Sequence, residues 1–240
     1  MLTIGDVVHA WQELPWADTS TVPPGRRALV LAPHPDDETI GCGGLIAGSC
    51  AAGRPPVVAI LTDGAASHPT ANQQQRDDLR SLREHEVEHA TACLGLPHNN
   101  LVLLGLPDNA LASTSPACLA VLEQLARVRN CDCIVAPWRH DQHPDHAAAA
   151  AIAQELAANL RVPCLYYPTW AWVIDPRISL PHQSVSGWRV DISAHLPEKR
   201  RAIVSHESQY FGLPDDPRHW CLPAELLAIA QRPYEVLLTA

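Results

Sequence analysis

The feature that most constrains the fold is a rhythm: short apolar runs alternate with helix-length stretches along most of the chain. Ala28–Ala32, Val57–Thr62, Leu101–Leu104, Cys133–Pro137 and Cys164–Tyr167 are nearly continuous apolar runs of strand length. Strands buried on both faces read this way, and they belong to parallel sheets covered by helices on each side. Between them the spacing predicts helices over 73–94, 116–129 and 144–160, and a Gly-containing helix from about 38 to 53. Strand–helix alternation implies parallel βαβ units with right-handed crossovers, hence an α/β architecture of three layers.

The two ends depart from the rhythm. Ile4, Val7, Val8, Trp11 and Leu14 have helical spacing, ended by Pro15 and Pro23-Pro24, so residues 1–27 form a lead-in helix. After Trp170 the pattern weakens into a loop-rich part punctuated by Pro176, Pro181, Gly187 and Pro197. It is expected to hold antiparallel or edge strands such as Trp188–Ile192, and helices near Glu198–Ser205 and Pro223–Gln231. At 240 residues one domain spanning 1–240 is expected.

Composition excludes several classes of function. With 17 basic and 26 acidic residues the net charge is -9, unsuited to a nucleic-acid partner, and Lys199-Arg200-Arg201 is too short to change that. No apolar run approaches the roughly 20 residues of a membrane span. The N-terminus has no positive region before an apolar core, so the expected compartment is the cytoplasm. The eight cysteines are scattered through apolar segments as small buried hydrophobes, and Cys131-Asp132-Cys133 lacks a second pair to complete a structural zinc site.

Two runs carry the chemistry: Pro33-His34-Pro35-Asp36-Asp37-Glu38 and Asp141-Gln142-His143-Pro144-Asp145-His146. Each directly follows an apolar run, where an open parallel sheet presents residues to a ligand. A catalytic divalent-metal site takes three His or carboxylate ligands and leaves one position open. His34, Asp37 and His146 make such a set, with Asp36 free to act as a general base, although spacing alone does not decide which of the two aspartates binds metal. Pro144 suits the first turn of a helix. There Asp145 could hold His143 to stabilise an oxyanion or protonate a leaving amine.

Other residues are less distinctive. Glu38 could bond amides at the helix start, and Asp63, beside Gly64, could shape a turn or line the cleft. Arg83 and Glu86 could pair along a helix, or Arg83 could hold the first run in place. Asp108 lies in a loop on the cleft side. Asp108, Arg83 and Asp63 are the candidate substrate contacts. Trp138, Trp170, Trp172 and Tyr167 could stack on a sugar ring or sit in the core. His68, His85, His89, His98, His182, His195, His206 and His219 lack a paired motif and are expected at the surface or in the core.

Pro33–Glu38 followed by Gly41-Cys42-Gly43-Gly44, together with His143-Pro144-Asp145-His146, resembles the two signatures of the PIG-L/LmbE-like zinc-dependent N-deacetylases. Fainter echoes lie at Arg83-x-x-Glu86, Leu106-Pro107-Asp108, Lys199-x-x-Ala202-Ile203 and Ser208-Gln209. The likeness spans about 28–211 and leaves 1–27 and a C-terminal extension, 212–240, outside it. The resemblance implies a Rossmann-like fold with a mostly parallel sheet. It implies His34, Asp37 and His146 as zinc ligands, Asp36 as base, and His143 as oxyanion stabiliser or acid with Asp145 behind it. Fe2+ or Co2+ can occupy such a donor set. The implied reaction removes an N-acetyl or other small N-acyl group from an amino sugar or glycoconjugate. The competing readings are an amidase for a larger acyl or cysteinyl conjugate and a non-catalytic Rossmann-like module. Against the module, no G-x-G-x-x-G follows the first strand. The oligomeric state is left open.

Overall fold

The structure is a computed structural model that describes residues 2–23, 27–68, 72–181, 185–213 and 220–239; His182 and His219 lie outside the described residues. The chain opens with β1 (Leu2–Thr3), α1 (Ile4–Gln12) and β2 (Trp16–Asp18). The alternating part follows as β3 (Ala28–Ala32), α2 (Asp37–Ala51), β4 (Val57–Thr62), α3 (Gln73–Cys93), β5 (Leu101–Leu106), α4 (Leu111–Arg129), β6 (Cys133–Pro137), α5 (Pro144–Leu160) and β7 (Cys164–Tyr167). Then come β8 (Ser179–Leu180), β9 (Gly187–Asp191), α6 (Leu196–Ser205), α7 (Glu207–Tyr210), α8 (Ala224–Ala230) and β10 (Tyr234–Thr239).

Eight of these strands form one sheet in the order β2-β9-β10-β7-β6-β3-β4-β5, in which only β10 runs against the rest. β3 and β4 are buried at every position because helices cover both faces. Alternation divides their side chains: Leu29, Leu31, Val57 and Ala59 pack toward α1, α4 and α5. Val30, Ala32, Val58 and Ile60 pack toward α2, α3 and α6. The expected mostly parallel, three-layer, Rossmann-like α/β fold is therefore the observed one. No helix among the described residues is long and apolar enough to cross a membrane, and all eight cysteines are free.

The first helix of the alternating part is broken. Cys42 has non-helical dihedrals, φ -148° and ψ 26°, inside α2. A break leaves carbonyls without partners on one side and amides on the other. Lys199 Nζ donates to the Ile40 carbonyl at 3.0 Å, while the Glu235 carboxylate accepts from Gly44 N at 2.7 Å and Leu45 N at 2.9 Å. Lys199 and Glu235 themselves pair at 2.6 Å, both buried. Gly41 and Gly44 allow this close approach, since a Cβ would overlap the Tyr167 ring at the first and Ile192 at the second.

The C-terminal extension contributes β10, an inner strand of the sheet. Two expectations need correction. Part of the lead-in, β2, joins the far edge beside β9. Helix α4 starts at Leu111 rather than Pro116, because Asp145 from α5 accepts from the Asn109 and Leu111 amides and caps the helix across the chain.

Candidate metal centre

β3 and β6 are neighbours. The chain leaves β3 for β4 on one side and returns through β6 on the other, so the two motif turns meet at the switch point of the sheet. Adjacent strand ends thus bring together residues more than a hundred positions apart.

The Asp37 carboxylate there meets both imidazoles. Asp37 Oδ2 lies 3.0 Å from His34 Nδ1 and 3.2 Å from His146 Nε2. At bond lengths near 2.05 Å, ligands on a tetrahedral metal lie about 3.3 Å apart. Each imidazole turns its other nitrogen to further carboxylates. His146 Nδ1 meets Asp141 Oδ2 at 3.1 Å; His34 Nε2 lies 3.2 Å from Asp108 Oδ1 and 3.4 Å from Asp145 Oδ2. His146 Nε2, on the Asp37 side, and His34 Nε2 and Asp108 Oδ1, on the Asp108 side, are buried without an aligned hydrogen bond, so His34 can offer a cation either ring nitrogen. Two sets of ligand atoms lie within 4.8 Å of one another, one from His34, His143 and His146 and one from His34, Asp108 and Asp145. The residues present fit a divalent metal.

Electrostatics agrees with geometry. Burial pushes the imidazoles down, yet the Asp108, Asp145 and Asp37 carboxylates raise His34 well above its ordinary value. Burial likewise opposes, and Asp37 and Asp141 outweigh it, in raising His146 to about 9. A field that draws protons this strongly also draws a divalent cation, which displaces them.

Asp36 stands beside this cluster in a backbone conformation with φ +148°, rarely adopted by L residues. Such strain costs about 1–3 kcal/mol and persists only where its surroundings enforce it. Arg83 donates to the Pro35 carbonyl at 2.6 Å and to Asp36 Oδ2 at 3.1 Å, while Glu38 Oε2 accepts from the Asp36 amide at 3.1 Å. Arg83 and Glu86 therefore do not pair: the guanidinium fixes the first motif and Glu86 accepts from Ser208 N and Oγ. Asp63 takes the Ala65 amide and the Arg80 guanidinium, as a turn residue would.

His143 caps α5, and its Nδ1 accepts from the Asp145 amide at 3.2 Å. The expected carboxylate contact behind His143 is not there. Asp145, one residue past Pro144, turns its side chain to Asn109, Leu111 and His34 instead. A backbone N–H only donates, so Nδ1 must accept and Nε2 carries the proton of the neutral ring. Burial first, then the nearby His34 and His146, push His143 down to about 4, keeping that ring neutral.

His34, Asp36, Asp37, Arg83, Asp108 and His143 line one cavity of about 260 Å³, closed further by Thr169, Trp170, Gln209 and Trp220. Asp141 was readable in the sequence only as the start of the second run. Its role emerges from the Thr169 and Ala171 amides, which it accepts at 2.9 and 2.8 Å while holding His146. His206, a core histidine as expected, sits 3.3 Å from Glu38.

This fold and site define a three-layer α/β protein with a His/Asp cluster able to hold a metal at the sheet's switch point. Residues 29–157 match the family described as PIG-L, GlcNAc-PI de-N-acetylase, and the chain belongs to that family of deacetylases. A probable N-acetyl-alpha-D-glucosaminyl L-malate deacetylase 2 of Bacillus anthracis is 28% identical over 193 residues, covering 77% of this chain and 82% of that protein. A diacetylchitobiose deacetylase of Thermococcus kodakarensis is 26% identical, covering 77% and 70%. A crystal structure of a deacetylase from the teicoplanin biosynthesis pathway shares the fold with a TM-score of 0.68 at 15% identity, covering 89% and 96%.

Proposed function

We propose that the chain hydrolyses the N-acetyl group of an amino sugar or glycoconjugate, with His34, Asp37 and His146 holding the metal and Asp36 as general base. The observation that carries this reading is the Asp37 carboxylate set against both His34 and His146, with His34, Asp36 and Asp37 lining one cavity. Zinc suits the two-imidazole, one-carboxylate set, and Fe2+ or Co2+ takes the same donors. A divalent cation there would polarise the amide carbonyl and make water acidic enough to deprotonate near neutral pH.

The protein groups supply the proton transfers. Asp36 accepts a proton from the attacking water and returns it to the nitrogen as the C–N bond breaks, leaving acetate and an amine. His143 offers Nε2–H to the developing oxyanion; its neutral tautomer supports this role over that of a general acid. Asp145 supports the site from the other side, through His34 and the start of α4. Asp108 at the cavity wall is a substrate contact, while Arg83 and Asp63 act by holding the walls. A single functional domain over 1–240 is supported by β2 and β10 sharing the sheet with β3–β7. The relatives' names support amino-sugar substrates, and the net charge of -9 supports the absence of a nucleic-acid partner.

Dialysis against a chelator is expected to abolish acetate release from N-acetyl sugars, with recovery on adding one equivalent of Zn2+. Undiminished turnover in a sample shown to be metal-free by elemental analysis would refute the mechanism. Faster cleavage of larger acyl amides than of N-acetyl sugars in the same panel would shift the assignment to the amidase reading.

A further inference from the structure

Gln209 and Thr169 line the cavity, and each carries a buried polar atom with no hydrogen-bond partner among the described residues: Gln209 Oε1 and Thr169 Oγ1. Gln209 is 0% exposed and Thr169 1%. A buried acceptor left unpaired is destabilising, so on a residue that lines a binding cavity such an atom marks where a ligand can donate.

The direction of the Gln209 amide follows from the groups behind it. Glu86 accepts from Ser208 N at 2.6 Å and from Ser208 Oγ at 2.7 Å. An ionised carboxylate only accepts, so the single Ser208 hydroxyl proton is committed to Glu86. Ser208 Oγ can then only accept from Gln209, and it takes Nε2–H at 2.8 Å. The amide is thereby fixed with Nε2 toward Ser208 and Oε1 on its other side. Its backbone is pinned as well, with Gln209 N donating to the His206 carbonyl at 3.0 Å and Leu222 N donating to the Gln209 carbonyl at 2.8 Å. None of the proton transfers assigned to Asp36 and His143 uses this oxygen.

We propose that Gln209 Oε1 accepts a hydrogen bond from the substrate, from a ring hydroxyl or from the N–H of the acylated nitrogen, and so selects substrates carrying a donor there. The inference rests on the deacetylase reading. Glu86 and Ser208 are positioning residues that set the amide, and Gln209 is the contact. Thr169 adds a hydroxyl able to donate or accept on the same cavity, and its amide is anchored on Asp141, the carboxylate that holds His146.

The test compares wild type with Gln209→Met, which keeps the length of the side chain and loses the acceptor, and with Gln209→Glu, which keeps an acceptor. With N-acetylglucosamine as probe, Gln209→Met is expected to lower kcat/KM about 10- to 100-fold, chiefly through KM, at unchanged metal content. Gln209→Glu is expected to lose less. If the Met penalty disappears on one of the 3-, 4- or 6-deoxy analogues, that hydroxyl is the donor. If it persists on all three, the amide N–H is. A kcat/KM of Gln209→Met within twofold of wild type overturns the proposal. Should that variant fail to fold, Ser208→Ala serves instead: it frees the amide to rotate and is expected to raise KM several-fold, and an unchanged KM overturns the proposal equally. A wild-type protein that releases no acetate from any N-acetyl sugar refutes the functional reading alone. Calorimetric binding of glucosamine then decides the role of Gln209, with weaker binding to Gln209→Met expected and equal binding counting against it.

Discussion

Asp36→Asn is expected to lower kcat by about 10²- to 10⁴-fold while metal content stays at wild-type level. Asparagine keeps the volume, tolerates positive φ better than most residues, and preserves an oxygen for the Arg83 guanidinium 3.1 Å away. What it loses is the ability to take a proton from water. A loss of metal together with activity would place Asp36 among the ligands; near-wild-type turnover would remove it from the reaction. Its pH dependence is a second check. Burial pushes Asp36 up to about 6, against the pull of Arg83 and with a contribution from Asp37. A base works only when deprotonated, so kcat/KM should fall as pH drops through the pKa of Asp36. A bound cation favours the ionised form, which places that limb at or below about pH 6, and the limb should be absent from the residual activity of Asp36→Asn.

The parallel core was legible because doubly buried strands cannot hide their composition: β3, β4, β6 and β7 begin and end where the apolar runs do. The metal-binding turns were legible for a related reason, since an open sheet offers chemistry at strand ends and both motifs sit there. What sequence patterns missed depends on partners far along the chain. Helix α4 has no cap of its own before Leu111 because Asp145, 34 residues later, supplies one. The assignment of Asp145 to His143 failed similarly, for proximity along the chain suggested a contact that the direction of the side chain does not make. Gln209 gave only a faint motif signal, because what orients it is a carboxylate on α3. Strand β10 was hidden by length and by Glu235, a charged residue in an inner strand that reads as surface until Lys199 is placed beside it.

Lys199→Met is expected to destabilise the folded protein by about 3–5 kcal/mol, measured by urea unfolding. The wild-type pair need not contribute net stability, since desolvating both charges offsets most of their attraction. Removing one partner is different: the Glu235 carboxylate stays buried, 4% exposed, with its charge uncompensated. The Ile40 carbonyl loses its donor in the same stroke. The consequence should reach the site, because Ile40 lies in the half of α2 that begins with Asp37, and Lys199 and Glu235 hold the two halves at their break. Lys199→Met should therefore weaken metal affinity as well as stability, although Lys199 lines no part of the catalytic cavity. Replacing Lys199 with arginine keeps the charge but not the compact ammonium that fits between Ile40 and Glu235, so partial recovery of stability without full recovery of metal affinity is expected. A Lys199→Met protein with wild-type unfolding and wild-type metal affinity would show that α2 keeps its break, and holds Asp37, without help from the C-terminal strand.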